Sequence, residues 1–321
     1  MKDLLKKYKQ YPNTWDEMFD SKGNIRNVYR DFGSYLKKTD FDNLTQMRDF
    51  SSQFFKNQGI TFTVYNDNKG VERIFPFDII PRIIDHNEWR SIESGIIQRI
   101  KALNLFLRDI YHEQFIIKDN IISGQLIVNN KYFIREMINL SVPKDIYTHI
   151  SGVDLVRGTN GEFFVLEDNL RTPSGVSYML ENREITRRLY PNLMPKHKVL
   201  SVDNYPQVLY RQLKTLVSKQ NPVIVLLTPG LYNSAYYEHA TLARLMGVEL
   251  VEGSDLVLYD HEVFMKTASG LKKIDVIYRR IDDDFLDPLS FNTLSVLGLA
   301  VIMESFRQGK VCIVNSPGTG I

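Results

Sequence analysis

Gly152-Val-Asp-Leu-Val-Arg-Gly-Thr-Asn-Gly-Glu-Phe-Phe-Val-Leu-Glu-Asp-Asn169 holds the reading of this chain. Asn160-Gly161 stands between two apolar runs, a strong signal for a two-residue hairpin turn, because such turns need left-handed backbone at their centre. With those two residues as the centre, Thr159 is set opposite Glu162 and Asp154 opposite Glu167. Opposed residues project from one side of the sheet, and Asn169, two residues on, shares that side, while Asp168 points the other way. Val156 and Val165 share the carboxylate face and Leu155, Phe164 and Leu166 take the other, so both faces are expected to be covered. Two carboxylates facing each other in a half-buried sheet cost several kcal/mol unless a cation or a shared proton compensates. Asp154, Glu167 and Asn169 offer only oxygen, which suits Mg²⁺ with its retained waters and substrate phosphates better than Zn²⁺. The alternatives are a solvated strand edge without an ion and a glycosidase-type pair. Direct opposition brings the acids too close for a water-activating inverting pair.

The chain continues Leu170-Arg-Thr-Pro-Ser-Gly175. Pro173 and Gly175 break the strand, and Ser174 is placed to cap a helix from about Gly175 to Tyr190. Backbone N–H groups at Ser174 and Gly175 then favour anions. Arg171 adds a bidentate charge suited to phosphate or carboxylate; the plain alternative is a surface turn with a solvated arginine.

Outward from this stretch, 321 residues correspond to about two domains. A net charge of +2 supplies no field that would demand nucleic acid or an anionic membrane. The single cysteine, Cys312, excludes a disulfide framework and a cysteine-cluster metal site, and reads as buried strand packing. The N-terminus has no apolar signal-peptide core and the longest apolar runs are too short to span a bilayer, so the expected location is the cytoplasm.

Three segments are expected: 1–58 helical, 59–220 carrying the metal and substrate region, and 221–321 Rossmann-like. In the first, Leu4, Leu5 and Tyr8 lie at helical spacing. In the second, Gly59-Ile-Thr-Phe-Thr-Val-Tyr65 and Arg73-Ile-Phe75 read as a hairpin, and Glu88–Tyr111 as a long amphipathic helix. In the third, Val223–Leu227 is a strand covered on both faces, Asn233-Ser234 caps a helix to Met246, and Gly247–Val251 is the next strand: a βαβ pattern, hence an α/β fold. Strands follow at 256–259, 263–266 and 274–278, then a helix over about 294–307 and a strand at 311–314. Thr228-Pro-Gly230 lacks the GxGxxG fingerprint of nicotinamide binding. Glu238 and His239 are adjacent and face apart, which suits a structural histidine. Arg279 or Arg280, at a strand's C-terminal end, could reach substrate or phosphate; a solvated charge cluster is the alternative. Lys6-Lys7 and Arg187-Arg188 read as solvated faces.

The run Val165-Leu-Glu-Asp-Asn-Leu-Arg-Thr-Pro-Ser-Gly-Val-Ser-Tyr-Met-Leu-Glu-Asn-Arg183 resembles the signature of the circularly permuted ATP-grasp proteins of type 2, which are similar to the synthetase domain of glutathionylspermidine synthetase. The likeness extends to Gly59–Tyr65, Arg73–Arg82, Leu227–Tyr236, Tyr278–Asp287 and Asn315-Ser-Pro-Gly-Thr-Gly320. It implies a circularly permuted ATP-grasp-like fold with a Rossmann-like pre-ATP-grasp unit, and ATP-dependent ligation of a small-molecule or peptide carboxylate to an amine. It implies Asp154, Glu167 and Asn169 as holders of Mg²⁺ on the ATP phosphates, and Arg171 and Arg280 as catalytic. Ser174, Gly175, Arg279, Gly318 and Thr319 would contact the nucleotide. The glutathionylspermidine relative carries an arginine where Gly152 stands here. The family also continues past the Pro-Gly-Thr-Gly turn with a lysine-bearing strand and a Gly-rich loop that grip ATP. The resemblance therefore implies a C-terminally truncated form, or one completed by a partner chain. An inactive scaffold, or a small-molecule binder acting through 222–315, stands as the alternative.

Overall fold

The computed structural model describes residue 5 and residues 8–66, 69–74, 76–197 and 199–321. In chain order the elements are α1 (Arg30–Lys38), α2 (Phe41–Asn57), β1 (Thr61–Asn66), β2 (Lys69–Ile74), α3 (His86–Tyr111), α4 (Phe115–Lys118), α5 (Gly124–Val128), β3 (Gly152–Arg157), β4 (Phe163–Asn169), α6 (Val176–Leu189), α7 (Tyr205–Lys214), β5 (Ile224–Leu227), α8 (Tyr236–Met246), β6 (Glu249–Val251), β7 (Leu256–Tyr259), β8 (Glu262–Thr267), β9 (Gly270–Lys273), β10 (Val276–Arg279), α9 (Asp283–Leu286), α10 (Ile302–Arg307) and β11 (Cys312–Val314). They form two compact units. One holds the chain up to Ile96 with Asp154–Glu167 and Gly175–Asp203; the other holds Ile97–Val153, Asp168–Ser174 and Asn204–Ile321. Neither is contiguous in sequence, so these units cut across the three segments expected above.

In the first unit Asp40 starts α2 by accepting the Asn43 amide at 2.8 Å. α1, α2 and the end of α6 close over Tyr29, Phe32, Leu36, Met47 and Tyr190. The Phe32 and Tyr190 rings meet edge-on at 5.1 Å. β1 and β2 form the expected antiparallel hairpin, Asn66 opposite Lys69. Its tip lies outside the described residues, as do Leu4, Lys6 and Lys7.

The second unit is built on a four-stranded parallel sheet in the order β11-β10-β5-β6. β5 is buried at every position, as an apolar run without alternation requires. α8 ends on Gly247, whose φ of +70° is left-handed and cheap for glycine. A β7-β8-β9 meander packs with the sheet into one apolar core. Cys312 is buried in β11, and burial pushes its thiol up to about 12. The helix expected over 294–307 shrinks to α10. Asp287 is fully buried and accepts from the Leu289, Val301 and Met303 amides and the Ser290 hydroxyl. Those bonds hold the preceding residues as an irregular segment. Gly298 passes so near the Leu286 carbonyl that a Cβ would sit 2.1 Å from it. Among the described residues no helix is long and apolar enough to cross a membrane.

Two enclosed histidines set an acid limit on this unit. His239 is pushed down to about 3 by burial and by the Arg280 charge, and His149 to about 4 by burial and Lys144. Both take protons more readily unfolded than folded. Their stability contribution is therefore whole above about pH 6.5 and is lost as pH falls towards the folded values. Urea titrations from pH 7 to 5 should show a loss approaching about 1.4 kcal/mol per pH unit for each histidine below its unfolded pKa. A His239→Gln variant should show a visibly shallower slope.

Candidate functional site

The β3–β4 hairpin turns one residue earlier than the two-residue reading places it. The Gly161 amide donates to the Gly158 carbonyl at 3.0 Å and the Gly158 amide to the Glu162 carbonyl at 2.9 Å. Thr159 and Asn160 are thus the turn centre, and Gly161, at φ +86°, is the left-handed third loop residue. The reason is tertiary. A Cβ on Gly161 would lie 2.5 Å from the Trp15 ring, so the indole packs directly on the turn. Arg157 completes the anchor. Its side chain is 4% exposed, bonds Glu88 at 2.7 Å, Glu17 at 3.1 Å and the Gly161 carbonyl at 2.9 Å, and lies 4.0 Å over the Phe163 ring. Trp15, Glu17, Glu88 and Arg157 escaped the sequence reading. A lone tryptophan in a polar N-terminal stretch is the only local trace of them.

Deeper along the strands the expected pairing returns. A Cβ on Gly152 would lie 3.4 Å from Cβ of Asn169, and the Asp154 carboxyl is hydrogen-bonded with Glu167. Between the turn and this point β4 advances one residue more than β3, which is a bulge. Phe164, Val165 and Leu166 are all exposed around it. So the carboxylate pair is real, but the coverage of both faces is not: Asp154 and Glu167 are exposed, as are Val156 and most of β4. Solvent therefore removes most of the cost expected for a half-buried pair. Partial desolvation, and then the Glu167 carboxylate, raise the Asp154 pKa.

This donor set fits a hard divalent cation. Two adjacent carboxylates open to solvent leave room for the waters Mg²⁺ retains, and no thiolate or imidazole joins them. Among the described residues no cluster of three or more His, Cys, Asp or Glu side chains could hold a metal. A cation here would rest on Asp154 and Glu167; the third candidate, Asn169, stands two residues further along β4.

The base of the hairpin is held by Asn315, which follows β11 and is 1% exposed. Its Oδ1 accepts from the His149 and Ile150 amides at 2.8 and 3.1 Å, while Nδ2 donates to the Ile150 and Leu170 carbonyls at 2.7 and 2.8 Å. One side chain thus ties the entry to β3 to the exit from β4. Asp168 points away from Glu167 and Asn169, as alternation requires, and is clasped by Arg99 from α3 at 2.6–2.9 Å.

Arg171 is partly exposed, 3.4 Å from Asp282 and 4.3 Å over the Tyr132 ring. Ser174 does not cap α6. Gly175, at φ +121°, occupies the cap position without a side-chain bond, and the Ser174 hydroxyl accepts from Arg280 instead. Arg280 is almost wholly buried and also donates to the Pro173 carbonyl at 2.6 Å and to Glu238 at 3.2 Å. Glu238 and His239 do face apart: the histidine Nδ1 meets the Thr228 hydroxyl at 2.8 Å. Arg279 lies deeper still. It donates to the Asn315, Ile281 and Ser316 carbonyls and sits 2.7 Å from Asp283. Gly318 and Thr319 are buried, the former bonded through its carbonyl to the Tyr111 hydroxyl, the latter donating to the Leu170 and Ser316 carbonyls. The structure therefore places Arg279, Gly318 and Thr319 in the interior of the second unit with protein partners. Asn169, Ser174 and the hairpin acids are exposed, and Arg171 and Gly175 partly so.

Residues 81–321 match the family model described as circularly permuted ATP-grasp type 2. The chain belongs to that family. A Synechocystis relative, itself uncharacterised, is 47% identical over 311 residues, covering 96% of this chain and 65% of the relative. A Frankia casuarinae protein named "Putative glutamate–cysteine ligase 2-2" is 34% identical over 325 residues, covering 99% of this chain and 37% of that one. Among solved structures, a glutathione synthetase-like effector from Globodera pallida in its apo form superposes with a TM-score of 0.53 at 11% identity, over 88% of this chain and 63% of that chain. That is a likeness of fold. The mixed α/β architecture is the one an ATP-grasp-like chain of this family presents, and the chain spans less than two thirds of the length of each relative named here.

Proposed function

We propose that the chain carries the metal-binding part of an ATP-dependent carboxylate–amine ligase, with Mg²⁺ held by Asp154, Glu167 and Asn169. The observation that carries this reading is the exposed, hydrogen-bonded Asp154–Glu167 pair on a hairpin anchored at both ends. Family membership and the ligase named among the relatives support it. Bound Mg²⁺–ATP would supply a phosphoryl group to a substrate carboxylate, from which an amine then displaces phosphate. The chain's own contribution is positional. β3 and β4 fix the two acids. The Arg157 anchor and Asn315 hold the hairpin. Arg171, partly exposed beside Asp282, offers a fork-shaped charge to phosphoryl or carboxylate oxygens.

The test is calorimetric titration of Mg²⁺–ATP into the chain. Glu167→Gln keeps the shape and removes one charged ligand, and should weaken binding at least tenfold, a difference of about 1.4 kcal/mol. Equal affinity in the variant would remove the metal assignment. With Mg²⁺ absent, the same substitution should lower the Asp154 pKa, since it removes a neighbouring negative charge. Carboxyl NMR titration reads this directly.

A further inference from the structure

In the first unit, α6 carries Arg183 and Arg187 one turn apart, and both line a cleft of about 380 Å³. Among the described residues its other walls are Pro191, Met194, Pro195 and Val199. The two cations are not equivalent. Arg187 is neutralised by Asp203 at 2.6 Å, with Glu184 nearby. Arg183 donates to the Leu200 carbonyl at 2.6 Å, and among the described residues no carboxylate lies within ion-pairing distance of it. Burial, and then the charge of Arg187, push its pKa down, and the more distant Asp203 carboxylate, engaged by Arg187, offsets this only in part. A partly enclosed guanidinium facing apolar walls has a specific chemical complement: one anionic head that accepts a bidentate pair of hydrogen bonds, attached to a hydrocarbon body. The volume is near the low end for ligand pockets, which suits a small molecule rather than a nucleotide. A bare phosphate would leave the apolar walls unused.

We propose that this cleft binds a small organic carboxylate, its head on Arg183 and its hydrocarbon body against Pro191, Met194, Pro195 and Val199. The site goes beyond the metal reading and needs no ATP. Hexanoate is the probe, titrated into the chain by calorimetry and ligand-detected NMR. Saturable binding is expected. Arg183→Gln should weaken it at least tenfold, and Arg183→Lys should recover only part, because the fork is lost while the charge remains. Val199→Trp fills the cleft from a position 43% exposed, keeps both arginines, and should weaken hexanoate equally. Mg²⁺–ATP affinity should be unchanged in all three. Absence of saturable hexanoate binding overturns the proposal, as does binding that survives both Arg183→Gln and Val199→Trp. Inorganic phosphate binding as tightly as hexanoate and indifferent to Val199→Trp overturns it too, since that marks a bare anion site. Failure of the ligase reading shows separately, in the Glu167→Gln titration.

Discussion

Replacing Arg279 by methionine should lower the unfolding free energy by about 3–5 kcal/mol, the cost of breaking a buried ion pair from one side. The guanidinium is fully enclosed and serves three backbone carbonyls, Asn315 and Ser316 after β11 and Ile281 after β10. Removing it leaves those carbonyls short of donors. It also leaves Asp283, whose Oδ1 has the Arg279 charge at 2.7 Å and no linear hydrogen bond, as a buried anion without a counter-charge. The double variant with Asp283→Asn should lose less than the sum of the two single losses, because the second change discharges the orphan. Guanidinium denaturation measures all three. A loss in the single variant below about 1 kcal/mol, the scale of a surface pair, would mean that the interior relaxes around the site and that Arg279 is not a keystone.

Asn315→Leu should cost about 3 kcal/mol or more, by leaving several buried backbone groups unsatisfied at once. The side chain is close to the native volume but supplies neither acceptor nor donor. The His149 and Ile150 amides and the Ile150 and Leu170 carbonyls lose their partner together. The loss is local in character. Amide exchange at His149 and Ile150 should accelerate far more than exchange in β5, whose bonds are untouched. Asn315→Asp keeps the acceptor and loses the donor, so it should protect the two amides while still destabilising the chain. If exchange at His149 and Ile150 is unchanged in Asn315→Leu, the staple is not what holds the hairpin base. Because Asp154 and Glu167 stand on that hairpin, the proposed metal reading requires Mg²⁺–ATP affinity to fall in Asn315→Leu without either acid being altered.

Much of this was legible in the residues. The apolar run at β5, the long stripe of α3, the βαβ order and the hairpin between 152 and 169 all follow from local periodicity and turn chemistry, which neighbours along the chain decide. Alternation also put Asp168 opposite in sense to Glu167 and Asn169, and Arg99 takes it there. The turn itself was misplaced by one residue. Asn-Gly supports more than one loop type, and in the one adopted Trp15, remote in sequence, packs against Gly161. The pairing at the acids came out as expected only because a bulge in β4 restores the offset, which no local signal announces.

What the sequence by itself determined is therefore the order and type of the elements, and the placing of Asp154 and Glu167 in the two strands of one hairpin. These depend on side-chain period and backbone preference over a few residues. Tertiary structure alone decided which polar groups lie outside. Arg279, Arg280 and Arg171 look alike in a string of letters. The first two are drawn inward because buried carbonyls and carboxylates beside them need donors, while Arg171, with Asp282 and the Tyr132 ring for company, stays within reach of solvent. Burial is a property of everything that packs around a residue, and that information is distributed over the whole chain.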